Sequence, residues 1–527
     1  MAALVRARAD DDNVALVQED QSWTWREVVA ESAVRAAWMR ATLDPELPPH
    51  VGVLLPNVPE FVFQIFGAAL AGACIVGVNP TRRGAELRRD VEHTDCQVVL
   101  TDSTHAELID GATRIETRPW ASHEGAALPV DDPDPSSTML LLFTSGSTSA
   151  PKAARRTQGR LATSSTMGFK PDDVLYGPMP LFHGNALSSI LFPGLVAGAT
   201  IVLRDKFSAT SWLDDVRRYG ATFTSTVGRA LGYVLATEPS ERDKDHRLRV
   251  VLAPEASPRD ISAFGKRFGV AVIAGYGSSE GGIALMPARK PGSLGVAPQG
   301  ADIAVVDPSG KECETARFDD RGQLCNAEAA IGELVRRDAA SSFEGYWHNP
   351  EAEAERMRGG WFWSSDLAYR DADGVFWFAG RIGDWLRVDS ENFATAPIER
   401  IIERHPDVAA VAVIGVPDPL AGDQVLAALE LLPGREFDPT AFDEFLGEQP
   451  DLGTKWAPKF VRVSPSLPVI GAGKLDKKPL RRDAWLTDDV IWWRPNRSAG
   501  YTLMTAADRE ALRKEFVAHD RIAAHPH

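Results

Sequence analysis

Cysteine is scarce in this chain: four in 527 residues, at Cys74, Cys96, Cys313 and Cys325. None forms a CxxC pair or stands near a histidine at metal-ligand spacing. That excludes a zinc ribbon or a disulfide scaffold and predicts free thiols in a reducing compartment. Positive charge is also short. The formal net charge is −16, so the basic face of a nucleic-acid binder is not expected. Long apolar runs are missing except for FVFQIFGAALAGACIVGV, Phe61 to Val78, which sits near the lower length limit for a membrane span. Gln64 and the glycines 67, 72 and 77 interrupt it and Asn79-Pro80 ends it, so it predicts a buried helix running into a buried strand. The amino-terminal MAALVRARADDDN lacks the apolar core of a secretory signal, and a cytoplasmic location is expected. Peripheral membrane association stays open, as does the choice between monomer and homodimer.

What is present is an alternating pattern. HVGVLLP, an apolar helix, ACIVGV, the amphipathic RRGAELRRDVEHT and QVVLT give a β-α-β-α-β rhythm, the pattern of a parallel sheet with helices on its faces. A second set runs from ATIVL at Ala199 through SWLDDVRRYG, ATFTST, a helix near 228–237, RVVLA and VAVIAGYG. Shorter, turn-rich segments follow: GADIAVVDPSG, GQLCNAE, IGELVRR and DADGVFWFAG. Their Gly, Pro and Asp-Gly punctuation predicts antiparallel β structure. After GRIGDWLRV comes helix APIERIIERH, strands VAAVAVIGV and QVLAALELL, helix PTAFDEFLGEQ and strand KFVRVSP. The predicted class is therefore α/β. A large N-terminal domain (1–380), made of two α/β subdomains and a small β subdomain, meets a hinge at 381–384. A small α+β C-terminal domain (385–482) and a C-terminal extension (483–527) follow. No internal repeat or low-complexity tract occurs.

The chemistry concentrates in four places. FTSGSTSAPKA, Phe143 to Ala153, leaves a buried strand at the sheet edge where open α/β sheets bind ligands. It is not the common phosphate loop, because no glycine immediately precedes Lys152 and no Ser or Thr follows it. Thr144, Ser145, Ser147 and Thr148 nevertheless offer hydroxyl donors, and Gly146 lets backbone approach a ligand closely. GYGSSEGG carries Tyr276, Gly277, Ser279 and Glu280; the ring can stack on a purine and the carboxylate can bind magnesium. GWFWSSDLAYRDADGVFWFAGRIGD adds Asp366, a hydrogen-bond acceptor for ribose hydroxyls, and Arg381. LPVIGAGKLDKKPLRR presents Lys474 behind Gly471 and Gly473. Each alone reads equally well as a polar turn, a solvated acid or a surface lysine.

Their order and spacing together resemble the ANL adenylating superfamily of acyl-CoA synthetases, luciferases and nonribosomal adenylation domains, from about Ser22 to Arg481. DKFSATSWLDDVRRYGAT, DHRLRVVLAPEAS, GRIGDWLRVDSENFATAPIE and the tail WWRPNRSAGYTLMTAADREALRKEF look most like very-long-chain acyl-CoA synthetases and fatty-acid transport proteins. The resemblance implies an acid–thiol ligase using ATP, magnesium and coenzyme A on a fatty acid or steroid side-chain acid. By motif, Thr144 and Glu280 would hold magnesium, Ser145, Gly146, Ser147 and Thr148 would cradle phosphate, and Lys152 would belong to the ATP/AMP site. Lys474 would bridge the α-phosphate and the carboxylate, with Glu280 and Thr144 the other catalytic residues. Tyr276 and the backbone around Ala253, Pro254 and Glu255 would sandwich adenine, Gly277 and Ser279 would belong to the ATP/AMP site, Asp366 and Arg381 would hold ribose, and His183 in MPLFHGN would line the acyl site. Gly383 would be the hinge for a C-terminal domain that swings between half-reactions, and Ser390, Glu391 and Asn392 would line the coenzyme A tunnel.

Ser149, Ala153 and Ser390 replace family glycines, and Pro254-Glu255 replaces Asn-Gly. These departures bear on the thioester step more than on ATP binding. A carrier-loading acyl-AMP ligase would carry an insertion for which GELVRR to GYWHNP leaves no room. A silent lipid-binding relative would not be expected to keep Glu280, Asp366, Arg381 and Lys474.

Overall fold

Strands, several of them fully buried, alternate with helices to build two largely parallel sheets in the N-terminal region of the computed structural model. It describes the chain from residue 1 to 526 except 81, 83, 110–113, 145–150, 165–166, 255, 279, 289, 291, 321–323, 340–341, 383–384, 389–390, 421, 450–451, 454, 471–473, 497–498 and 520. The first sheet has six strands. Arg114–Glu116, Val98–Thr101, His50–Leu54, Cys74–Gly77 and Thr138–Thr144 run parallel, and Lys152–Thr157 closes the edge antiparallel. The second has seven: Ala271–Ile273, Val250–Leu252, Phe223–Ser225, Val174–Gly177, Thr200–Leu203 and Val14–Gln18 in parallel, with Gln21–Thr24 turned back on the last. Both expected α/β units are therefore present. The second also recruits the amino-terminal strand across a sequence gap that the local pattern could not bridge.

The apolar run from Phe61 is a helix and then a strand. The helix Pro59–Ala71 starts on a proline and ends at Gly72 in the left-handed region (φ 76°), and the strand Cys74–Gly77 follows. Among the described residues no helix is long and apolar enough to cross a membrane. This helix packs against Trp25–Thr42 in the principal core, with Trp25, Trp38, Phe61 and Phe66 all buried. Arg35 is buried at the same contact, where its guanidinium meets Glu60 at 2.6 Å and lies 4.6 Å over the Trp120 ring. A buried arginine needs that pairing to offset its lost hydration.

An antiparallel sheet of Ile303–Val306, Gly332–Arg336, Trp361–Arg370, Met357–Arg358 and Phe376–Arg381 follows, as the turn-rich pattern predicts. The C-terminal region is built on Val408–Pro417, Asp423–Leu431 and Phe460–Val463 with helices Thr395–Ile402 and Pro439–Gly447. The segment after residue 482 is built into this sheet. Val490–Trp493 and Thr502–Leu503 add two strands, and Trp485, Ile491, Met504, Leu512 and Phe516 share one core with Ile414 and Leu426. Arg400 donates to the Phe378 carbonyl (2.8 Å), and Arg259 to the carbonyls of Glu403 (2.9 Å) and His405 (3.1 Å), which joins the C-terminal unit to the rest.

The contact between the two large helices depends on a missing side chain. A Cβ at Gly67 would lie 2.7 Å from the Arg35 Cβ and 3.0 Å from the Ser32 carbonyl oxygen. Gly67→Ala should cost about 1–3 kcal/mol by overpacking and lower the thermal unfolding midpoint. An unchanged midpoint would mean that these helices separate without strain.

Candidate functional site

The strands on either side of FTSGSTSAPKA, Thr138–Thr144 and Lys152–Thr157, pair antiparallel. Thr144 closes the outgoing strand and pairs with Lys152 on the return, and the Thr144 hydroxyl reaches the Lys152 carbonyl at 3.4 Å. The return strand is bridged in turn to Tyr346, with the Arg155 amide bonded to the Gly345 carbonyl at 3.0 Å. That places Tyr346 against Glu280. The phenol donates to Glu280 Oε1 at 3.1 Å, and the Arg356 guanidinium approaches the same oxygen at 3.3 Å. Arg156 donates to the Glu280 carbonyl at 2.7 Å. Glu280 is 9% exposed and Tyr346 2%. Burial, followed by the Glu280 charge, pushes the Tyr346 phenol above its ordinary range, so it stays a donor.

Asp366 is met the same way. It stands opposite Arg381 in the antiparallel pairing, with Arg381 Nε 3.2 Å from Oδ1, and the Tyr276 hydroxyl donates to Oδ2 at 2.5 Å. Burial, then the Asp366 charge, raises the Tyr276 pKa well above its usual value. Tyr276 therefore engages the carboxylate through its hydroxyl while its ring lies against the core around Ile283 and Leu285.

Ala253, Pro254 and Tyr276 follow the carboxyl ends of Val250–Leu252 and Ala271–Ile273, which are neighbouring parallel strands. Open α/β sheets bind ligands outside the carboxyl ends of their strands. The Pro254 carbonyl accepts from the Gly228 amide at 2.8 Å, and the Ser257 hydroxyl caps the next helix through the Asp260 amide at 3.0 Å. Lys152 is buried, with its amine 3.1 Å from Glu355; a phosphate contact would require that pair to open. Lys474 begins the return strand of a hairpin, opposite Ile470. Glu391 and Asn392 lie in a second hairpin, with Glu391 opposite Val388. Ser145, Gly146, Ser147, Thr148, Ser149, Glu255, Ser279, Gly383, Asp384, Ser390, Gly471 and Gly473 lie outside the described residues, as do the side chains of Lys474, Glu391 and Asn392.

His183 follows the strand Val174–Gly177 on a turn clamped by Asn57, whose amide donates to the Met179 carbonyl and whose oxygen accepts from the Leu181 amide, both at 2.9 Å. Its ring lies 4.5 Å from Phe182, and its buried Nε2 has no partner among the described residues.

The sequence matches the model of the AMP-binding enzyme over residues 5–347 and of the AMP-binding enzyme C-terminal domain over 397–474. The chain belongs to the AMP-binding enzyme family. It is 45% identical to a steroid-22-oyl-CoA synthetase of Rhodococcus jostii, over 99% of this chain and 98% of the relative. It is 44% identical to a medium/long-chain-fatty-acid–CoA ligase of Mycobacterium tuberculosis, over 91% and 96%. Among solved structures, the anthranilate CoA ligase AuaEII in complex with anthranoyl-AMP superposes with a TM-score of 0.81 at 21% identity, covering 92% of this chain and 97% of that one. A benzoate CoA ligase from Burkholderia xenovorans LB400 gives 0.80 at 19%, covering 91% and 99%. These two structures establish the fold.

Within this AMP-binding enzyme, sequence reasoning missed Tyr346, Arg356, Asn57 and Ser365. The first three carry no motif of their own. Ser365 adopts φ +62°, a region that non-glycine residues seldom occupy, and serine does not mark that conformation in a sequence. No cluster of three or more His, Cys, Asp or Glu that could hold a metal occurs among the described residues. One carboxylate and one hydroxyl suit magnesium that takes most of its oxygens from phosphate and water.

Burial, and after it the charge of Arg82, lowers the His183 pKa to about 4. Between that value and about 6.5, where an unfolded histidine titrates, the unfolded chain binds more protons. The stability is therefore full above the unfolded value and is lost as pH falls through this window. NMR of the His183 ring should show no titration between about pH 5 and 8, and His183→Phe should flatten the acid side of the stability profile. An inflection near the ordinary value would place the ring in water.

Proposed function

We propose that this chain is an ATP-dependent acid–thiol ligase that converts a hydrophobic carboxylic acid, of the fatty-acid or steroid side-chain class, to its coenzyme A thioester. A carboxylate oxygen attacks the α-phosphorus of ATP, the α–β phosphoanhydride bond breaks, and pyrophosphate leaves. The coenzyme A thiol gives its proton to solvent, its sulfur attacks the acyl carbon, and the bond to AMP breaks. A carboxylate is a weak nucleophile and the phosphates repel it, so positioning and charge neutralisation carry the rate.

One observation carries this reading. Beside the carboxyl ends of two parallel strands, Asp366 meets Tyr276 and Arg381 and Glu280 meets Tyr346 and Arg356 within hydrogen-bonding distance, and Arg356 also bonds the hydroxyl of Ser365, the residue before Asp366. Asp366 would accept the ribose hydroxyls with Arg381 beside it. Thr144 and Glu280 would hold magnesium, which supplies charge neutralisation on the phosphates. Ser145, Ser147 and Thr148 would donate to phosphate oxygens. Lys474 would enter the site for adenylation on the C-terminal domain, and rotation at Gly383 would replace it with the loop of Ser390, Glu391 and Asn392. His183, neutral and with an open ring nitrogen, would face the acyl end. The relatives named for steroid and medium/long-chain fatty acids support the acid class, and the apolar surroundings of His183 suit either. A cytoplasmic location fits this chemistry.

Lys474→Ala should cut pyrophosphate release from ATP and oleate by roughly a hundred- to a thousandfold while sparing thioester formation from preformed oleoyl-adenylate. Equal loss in both halves would remove Lys474 from the adenylation step. Hydrogen bonds to a charged group contribute about 1.5–3 kcal/mol, so Asp366→Asn should weaken AMP binding roughly ten- to a hundredfold by calorimetry. Unchanged binding would take the ribose away from Asp366. Mass detection of oleoyl-CoA or a steroid-acyl-CoA from acid, ATP and coenzyme A tests the whole reading; an adenylate that never passes to coenzyme A would favour a carrier protein as acceptor.

A further inference from the structure

Arg356 ends the short helix Pro350–Arg356, and none of its chemistry is signalled by a motif. Its side chain is only 15% exposed, and the guanidinium is distributed over two parts of the site. Nη2 lies 3.3 Å from Glu280 Oε1, and Nε 3.4 Å from the Tyr346 hydroxyl that also serves Glu280. On the other side Nη1 meets the Trp363 carbonyl at 3.3 Å and bonds the Ser365 hydroxyl. Ser365 is the residue at φ +62°. Its amide is held by Glu333 at 2.8 Å and its carbonyl by the Ile382 amide at 3.0 Å. Strained backbone of this kind persists only where surrounding bonds over-determine it, and the next residue is Asp366.

We propose that Arg356 is a positioning residue that couples the two ends of the nucleotide site: one arm orients Glu280 for the metal, and the other locks the left-handed Ser365 that aims Asp366 at ribose. This rests on the nucleotide reading above. A planar fork can serve both arms at once, whereas the single ammonium of lysine cannot. The arms are separable by experiment, since AMP binding without magnesium reads the ribose arm and the magnesium concentration giving half-maximal pyrophosphate release reads the Glu280 arm.

Arg356→Gln should weaken AMP binding in EDTA by about tenfold, the order expected for losing one charged hydrogen bond, and should raise the magnesium requirement. Adding Ser365→Gly should return AMP affinity to within about threefold, because glycine takes a positive φ without strain, and should leave the magnesium requirement raised. Arg356→Lys keeps the charge and tests the fork if the glutamine variant folds poorly; the same AMP defect and the same rescue are expected. Retention of wild-type AMP affinity in both variants overturns the proposal, and so does a defect that Ser365→Gly leaves untouched. No AMP binding by the unaltered chain would instead overturn the nucleotide site itself.

Discussion

A carboxylate withdrawn from water is costly unless a cation and a hydrogen-bond donor meet it, and Glu280 and Asp366 are both met in that way. Glu280 has Arg356 and the Tyr346 phenol; Asp366 has Arg381 and the Tyr276 phenol. Two acids prepared alike sit on different segments, and the guanidinium of Arg356 reaches from one toward the backbone that carries the other. Most of the N-terminal architecture holds these partners in register. The hairpin return strand fixes Tyr346, the parallel strands before Ala253 and Tyr276 set the crevice edge, and the pairing of Trp361–Arg370 with Phe376–Arg381 puts Arg381 opposite Asp366.

Phenols whose pKa values are raised by burial remain donors at any ordinary pH, so the two carboxylates keep fixed partners. Among the described residues, the C-terminal unit meets the rest where Arg400 donates to the Phe378 carbonyl and Arg259 to the carbonyls of Glu403 and His405.

Much of the fold was legible in local pattern. The runs HVGVLLP, ACIVGV and QVVLT became neighbouring parallel strands because side chains buried on both faces leave a continuous apolar signature. Phe61 to Val78 divided at Gly72, as its glycines and its short length implied. The tail after residue 482 was less legible. Its strands Val490–Trp493 and Thr502–Leu503 extend the C-terminal sheet, but edge strands that short carry too few residues to show a period. The strand Val14–Gln18 likewise joins Thr200–Leu203, and nothing local to either segment names the other.

By itself the sequence determined the succession of strands and helices and the order of hydroxyl loop, YGxxE, aspartate and lysine that marks an adenylate-forming chain, since both are written as local periodicity and motif. Only the tertiary structure decided which side chains neutralise the two acids. Tyr346 is 66 residues from Glu280, Arg356 is 76 residues away, and Tyr276 is 90 from Asp366. Over such distances the charge on a residue says nothing about its partner until the sheets bring their edges together.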